Sequence, residues 1–462
     1  MPTKKPYKKA LFIFRRDLRL ADNNGLALAL AQSELVIPCF IFDPRQVGAK
    51  NDYRSENAIQ FMVESLIDLD EQLHAHGGKL YLFAGTADAV IKKLLQQEDV
   101  DAVFCNRDYT PFSVARDEAI KKTCDHHGVK FTSCADALLN EPEAITSQSG
   151  TPYSVFTAFY KRARTVPVAQ PNQMRATNFY KKPIKLAHKA TEVYTKAWNH
   201  DNKQIHVHGG SEQALKILRS IKNFEDYATD RNIPALQTTN LSAHLKFGTV
   251  SIRQAYHTIK EKLGATNPLL QQLYWCDFFT HVAYHSPFVF GEPFHEKYKK
   301  LVWSKNAKNF NAWCTGNTGF PIVDAGMRQL NATGFMHNRV RMIVASFLVK
   351  DLHVDWRAGE KYFAQQLVDY DPAVNNGNWQ WCASTGCDAQ PYFRIFNPWL
   401  QQKKFDPDCV YIKRWVPELA KADNKIIHSW FKESSPPIKK YPRPIVDHAT
   451  ESTYAKKMYK NA

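Results

Sequence analysis

No CxxC pair occurs in this 462-residue chain, no run approaches the roughly 18 uninterrupted apolar residues of a membrane span, and no glycine-rich phosphate loop follows the first apolar segment. Each absence removes a class. The nine cysteines are scattered, Cys382 and Cys387 are the nearest two, and no histidine stands at zinc-finger spacing. Neither a disulfide framework nor a structural zinc is expected, and no metal ligand is assigned. The N-terminal apolar run extends only from Ala10 to Phe14 before Arg15 and Arg16 end it, too short for a secretory signal. These features point to an intracellular, cytoplasmic protein with reduced thiols. The turn RRDLRLADNNG (15–25) has neither GxGxxG nor GxxxxGK(S/T), so a pyrophosphate or triphosphate cradled in the usual way is not expected there.

What is present is size, positive charge and aromatic side chains. The length is about three times a typical domain of about 150 residues, so two or three domains are expected. Lys and Arg number 61 against 45 Asp and Glu, a net charge of +16. That balance suits a polyanionic partner such as nucleic acid, and a merely soluble basic protein would share it. Aromatics are plentiful, with 10 Trp, 20 Tyr and 28 Phe.

Residues 1–136 alternate strand and helix signals. ALFIFR (10–15), ELVIPCFIFD (34–43), KLYLFAG (79–85), AVFCNRDY (102–109) and KFTSCAD (130–136) are short apolar runs. Between the second and third, Ile59, Met62, Leu66, Leu69 and Leu73 recur at helical spacing. The alternation predicts an α/β domain with a doubly wound parallel sheet. Residues 137–204 show no clear period and read as a connector. From 205 to 462 helical signals dominate and an all-helical domain is expected. Ser251 and Gln254 form an S-x-x-Q capping box. The tail after 416, rich in Pro and Lys, is expected to wrap the surface.

Three segments have the composition of a binding site. In 338–350, Val340, Ile343, Val344, Phe347 and Leu348 form a buried stripe, which leaves Asn338 and Met342 on the opposite face with Arg339 and Arg341 beside them. A solvated face suits the arginines and suits Met342 less well; the alternative is a face lining a cavity or polyanion groove. In 369–381, Asp369, Asp371, Asn375, Asn376, Trp379 and Trp381 crowd together, either to hydrogen-bond a heteroaromatic or polar ligand or to tie helices together. Thr238, Thr239 and Ser242 precede a helical stretch, placed for phosphate binding or for plain capping.

Taken in order, FIFRRDLRLADNNGL (12–26), YSVFTAFYKR (153–162), LSAHLKFGTVS (241–251), the long stretch 319–381 and YFRIFNP (392–398) are similar to the DNA photolyase and cryptochrome family. The resemblance implies an α/β antenna domain followed by a helical domain that holds FAD. By position, it assigns Tyr227, Thr238, Thr239, Asn240, Leu241 and Ser242 to the FAD phosphates and ribose, with Asn240 standing where relatives usually have Arg. It assigns Asp369, Tyr370 and Asp371 to the flavin and its adenosine, and Asn375 to flavin N5. Trp379, Trp356 and Trp303 match the chain that conducts an electron from the surface to photoexcited oxidised flavin.

The branch is implied by MHNRVRM (336–342). Asn338 and Met342 follow the cyclobutane-dimer pattern, whereas branches specific for the (6-4) lesion carry His at both positions. The resemblance therefore implies light-driven repair of cyclobutane pyrimidine dimers in DNA by a monomer. Asn338, Arg339, Arg341 and Met342 would face lesion or DNA. Trp275 and Trp381 would flank the lesion, with Trp275 also bordering the cofactor, and Arg231 and Gln401 would touch DNA. Two departures stand in QLYWCDF (272–278), where Gln272 replaces a dimer-binding Glu and Cys276 an Arg. Gln272 also occurs in (6-4) photolyases and animal cryptochromes, so a blue-light photoreceptor and a (6-4) photolyase are the alternatives. For a second, antenna chromophore, Phe112 and Ser113 replace the Asn-Glu pair of folate-binding members. Folate loses support, and deazaflavin, FMN or an empty pocket stay open.

Overall fold

The computed structural model describes residues 4–174, 176–432, 438 and 440–462. Residues 433–437 and 439 of the Pro- and Lys-rich tail lie outside the described residues. Five strands, β1 (Tyr7–Phe14), β2 (Ser33–Phe42), β3 (Tyr81–Ala84), β4 (Ala102–Asn106) and β5 (Lys130–Cys134), form one parallel sheet in the order β3-β2-β1-β4-β5. Each overlaps an apolar run expected to be a strand, with ends that differ by at most three residues. The pleat sends Phe12 and Phe14 to one face, onto the Glu56–Ala75 helix, and Leu11 and Ile13 to the other, onto Ala87–Gln97. Burial on both faces explains why the runs are continuously apolar.

The segment 137–204 packs on both sides of the molecule. Ile145, Phe156 and Phe159 join Tyr274 and Phe278 in a helical cluster. Phe179 and Val193 return to the sheet domain, where Val36 donates its N–H to Asn178 O and accepts from Tyr180 N. These are single bridges and short helices, which leave no period in the sequence.

Beyond 205 the regular elements among the described residues are helices. The largest core surrounds Pro321–Thr333, Asn338–Lys350, Trp356–Gln366 and Pro372–Ala383. Ser251 caps the Ile252–Leu263 helix, its Oγ accepting from Arg253 N at 3.1 Å and Gln254 N at 3.4 Å.

The turn after β1 joins the two parts. Leu18 N donates to Phe247 O at 3.0 Å, and Gly248, at φ 64°, passes so close that a Cβ there would sit 2.1 Å from Arg16 O. Beneath it lies a buried ion cluster. Arg19 and Arg253 both donate to Asp136, at 2.7 and 2.8 Å, and Arg253 Nε donates to Asp22 at 3.0 Å. All four side chains are at most 6% exposed. Burial alone would raise the Asp136 pKa; the two guanidiniums outweigh it and hold the carboxyl below the usual range.

Asp136→Ala leaves two guanidiniums buried without their shared carboxylate. It is expected to lower unfolding free energy by about 3–5 kcal/mol, read from denaturant midpoints. A loss below about 1 kcal/mol would show that the cluster does not hold the domains together.

Candidate active site

Three chain segments converge on Asp369. The short helix Leu241–Phe247 begins after Asn240, whose φ of 56° places it in the left-handed region with no side-chain cap. Ser242 Oγ donates to Asp369 Oδ2 at 2.7 Å, and Arg341 Nη2 donates to the same oxygen at 2.9 Å. Arg341 also donates through Nε to Met336 O and lies over the Phe335 ring, on which His206 stacks at 4.4 Å. Arg341 is thus committed inward, to this cluster. That corrects the expectation that it faces DNA: of its neighbours on the helix, Asn338 is exposed as expected, whereas Met342 is half-buried and packs partly against the largest core.

Two oxygens of the cluster, Asp369 Oδ1 and Asn240 Oδ1, are buried with no hydrogen-bond partner among the described residues. Buried polar atoms are normally satisfied, so such a pair marks a place for a polar ligand. Sequence reasoning missed His206. Its ring approaches Asn240 and Asp369, and burial lowers its pKa against their pull. A histidine in an irregular segment, with His208 two residues on, gave no period to find it by.

The other cofactor-assigned residues divide. Thr239 Oγ1 accepts from Leu241 N at 3.5 Å, a weak cap that leaves the helix N-terminus largely free. Thr238 and Tyr227 are half-buried, and Arg231 sits over the Tyr227 ring. Asp371 caps Pro372–Ala383 by accepting from Val374 N and pairs with Arg16, which also reaches Asp108 at 3.1 Å. Its side chain is therefore spent on the domain junction. Tyr370 is half-buried against Tyr53, its phenol pKa pushed up by burial.

Asn375 is held from behind, with Nδ2 donating to Glu360 O at 3.1 Å. Asn376 donates to Val289 O and to the Glu360 carboxylate. Trp379 is buried, with Phe363 at 5.0 Å and Trp313 at 6.1 Å between ring centroids. A Cβ on Gly359 would lie 2.2 Å from Trp379, so only glycine lets the indole sit there. Trp356 is buried and Trp303 half-buried. Trp313, fully buried and bonded through Nε1 to Val344 O, went unnoticed because it reads as an ordinary core residue.

On the outer face, Trp275 stacks on Phe156 at 3.5 Å, also meets Phe279 at 5.4 Å, and stays half-buried. Gln272 donates to Pro268 O on its own helix at 3.3 Å. Arg339 donates to Asn232 and lies over Phe405 at 4.5 Å. Trp381 and Gln401 are half-buried.

Burial pushes the Glu360 carboxyl up to about 7, against the hydrogen bond from Asn376 and the Arg357 charge. The folded state then keeps its proton where the unfolded chain, at 4.5, has lost it. Stability from this group is full below pH 4.5 and falls as pH rises towards 7. Glu360→Gln removes the fall. The difference in unfolding free energy, variant minus parent, is expected to grow by about 1–3 kcal/mol from pH 5 to 7, at about 1.4 kcal/mol per pKa unit. A flat difference would place the Glu360 pKa in the normal range.

Residues 10–175 match the family model described as DNA photolyase, and residues 269–461 the one described as FAD binding domain of DNA photolyase. The deoxyribodipyrimidine photo-lyase of a Synechococcus strain is 38% identical over 470 residues, covering 97% of this chain and 96% of its own. The archaeal photolyase of Sulfolobus tokodaii, crystallised with two FAD molecules, superposes with a TM-score of 0.90 at 44% identity, covering 98% of this chain and all of its own. A Synechocystis cryptochrome gives 0.87 at 28%, covering 98% and 100%. With two family models and near-full-length relatives agreeing on the same two-part architecture, the chain belongs to the DNA photolyase family.

Proposed function

We propose that this protein repairs cyclobutane pyrimidine dimers in DNA, driven by light and using FAD. One observation carries the reading. On the 338–350 helix, Arg341 turns inward to Asp369 while Asn338 is exposed. Cofactor cluster and lesion face therefore lie within one helical turn, about 5 Å of rise.

The residues fit FAD by their chemistry. Asp369 and Asn240 each offer a buried, unpartnered oxygen, Arg341 supplies a fixed positive charge, and Ser242 supplies a hydroxyl. With Tyr227, Thr238, Thr239, Leu241 and Tyr370 these would hold the cofactor, and Asn375 would present its amide oxygen, the amide N–H being tied to Glu360 O. Reduced FAD held by these residues would supply, under light, the single electron that opens the cyclobutane ring, and would take it back.

The chain's own residues do the rest. Arg231 and Arg339 bring positive charge to the backbone of DNA, with Asn338 and Gln401 beside them. Photolyases are among the enzymes that extrude their target from the duplex, and a badly stacked dimer leaves the stack more cheaply than an intact pair. Trp275, braced by Phe156, and Trp381 would stack on the extruded dimer, with Met342 lining its seat. Gln272 keeps an amide oxygen and one N–H for the lesion, enough to hydrogen-bond it without carrying charge. The domains divide as 1–136, 137–204 and 205–462, and the protein works as a cytoplasmic monomer.

A second chromophore would sit where the strand order switches, at the carboxyl ends of β1 and β4. The residues gathered there, Arg16, Asp108, Tyr109, Thr110 and Asp371 among others, enclose only about 10 Å³, so a chromophore would enter only if they part. Phe112, flanked by Arg45 and Arg116, supports a flavin or deazaflavin over folate.

Protein reduced beforehand is expected to repair an oligonucleotide bearing one thymine dimer under blue light and not in the dark. Absence of repair with FAD bound and reducible would favour the photoreceptor reading, with Gln272 and Cys276 as the responsible substitutions. Trp379→Phe is expected to slow light-driven reduction of oxidised FAD at least tenfold and to spare repair by protein reduced chemically in advance. Equal photoreduction in variant and parent would remove Trp379 from the electron path.

A further inference from the structure

The Glu296–Lys300 turn and the His448–Lys460 helix meet in an aromatic contact. The ring of Tyr459 lies 5.7 Å from Tyr298 and 6.3 Å from Trp303. Tyr459 is buried and its hydroxyl is tied to Ala383 O at 2.6 Å. Trp303 is half-buried, and Val302 beside it is 80% exposed, the highest value among the large exposed hydrophobics described.

This apolar spot has a positive rim. Lys300 and Lys305 flank Trp303 in sequence, and Lys456 and Lys460 lie within a turn of Tyr459. All four are exposed and none forms an ion pair among the described residues; the paired lysine nearby is Lys299, bound to Glu292 and Glu296. From Glu292 to Lys308 five lysines face two glutamates, and from Tyr454 to Lys460 three lysines face no acid.

The surface stands apart from the DNA face. Lys350 Nζ lies 3.4 Å from the centroid of the Tyr459 ring, at the C-terminal end of the helix whose N-terminal residue is the exposed Asn338. Twelve residue steps at 1.5 Å separate the two ends by about 18 Å. A small apolar centre whose rim carries an excess of unpaired positive charge suits a brief electrostatic encounter, the kind made by electron-transfer proteins.

We propose that this surface docks an acidic one-electron carrier protein, which delivers its electron to Trp303. The inference rests on Trp303 as the outer member of the tryptophan chain. Trp303 loses one electron inward when oxidised FAD is photoexcited; the reduced carrier then loses one electron and Trp303 regains it, with no net proton transfer.

The test uses holoprotein with oxidised FAD, a blue-light flash, and the absorbance of oxidised tryptophan. A prereduced plant-type two-iron ferredoxin is the acidic probe, and an uncharged quinol is the control. The second-order rate with ferredoxin is expected to fall at least tenfold from about 20 to about 300 mM salt. In the Lys300→Glu, Lys456→Glu double variant it should fall at least fivefold, with the quinol rate unchanged. Calorimetry in the dark should show weaker ferredoxin binding by the same variant. An oxidised-tryptophan signal with a ferredoxin rate indifferent to both salt and variant would overturn the docking surface alone. A variant that loses affinity for duplex DNA would make the surface a DNA contact and overturn it too. Absence of the tryptophan signal, or its persistence in Trp303→Phe, would overturn the reading of Trp303 and the docking surface with it.

Discussion

Four side chains buried between the two halves of the molecule, Arg19, Asp22, Asp136 and Arg253, set the geometry on which everything else depends. A charge in that environment is stable only if paired, so the two halves can meet in few ways. The turn after β1 supplies Arg19 and Asp22, the end of the sheet domain supplies Asp136, and a helix of the second domain supplies Arg253. In many doubly wound sheets this turn grips a phosphate. Here it grips the other domain instead, and the missing glycine fingerprint follows from that change of task. Gly248 is the complementary concession: a backbone that must pass so close to Arg16 O leaves no room for a side chain.

The consequence reaches the candidate site directly. The Leu241–Phe247 helix ends against the β1 turn through Phe247 O and Gly248, and it begins at Asn240 and Ser242, which face Asp369. Seven residues separate the domain lock from the Asp369 cluster. Arg16 makes a second, parallel link, because Asp371, two residues from Asp369, is held by an arginine of the sheet domain. A shift at the domain junction would therefore move both acids, and with them the acceptors meant for a ligand.

Regular structure was readable from sequence because burial leaves a period. All five strands and the 338–350 helix stand where their apolar spacing puts them. The connector was not readable, since its contacts alternate between two cores and no face repeats. Within the site, Trp379, Asn375 and the Asp369 segment were found through their motif, but their tasks were not all legible. Periodicity says which face of a helix is buried; it does not say whether a polar side chain on the other face meets water, DNA or a neighbouring carboxylate. Arg341 and Asp371 show this. Each lies in a motif associated with one partner, and each is drawn by a full charge elsewhere in the chain, Asp369 in one case and Arg16 in the other. His206 and Trp313 left no mark in the sequence because their significance comes from what stands next to them in space.

The 338–350 helix gathers the separate tasks on one rigid axis. Its buried stripe, Val340, Ile343, Val344 and Phe347, fixes its rotation in the largest core of the molecule. With rotation fixed, one residue's change of direction decides what a side chain meets: with Val340 and Val344 facing the core, Arg341 faces the acids and Asn338 faces outward. At the far end the same helix brings Lys350 beneath Tyr459, beside the half-buried Trp303. DNA and an electron donor would then approach opposite ends of one helix. Neither would need to leave for the other to bind, and both would stay in fixed register with the cofactor cluster midway.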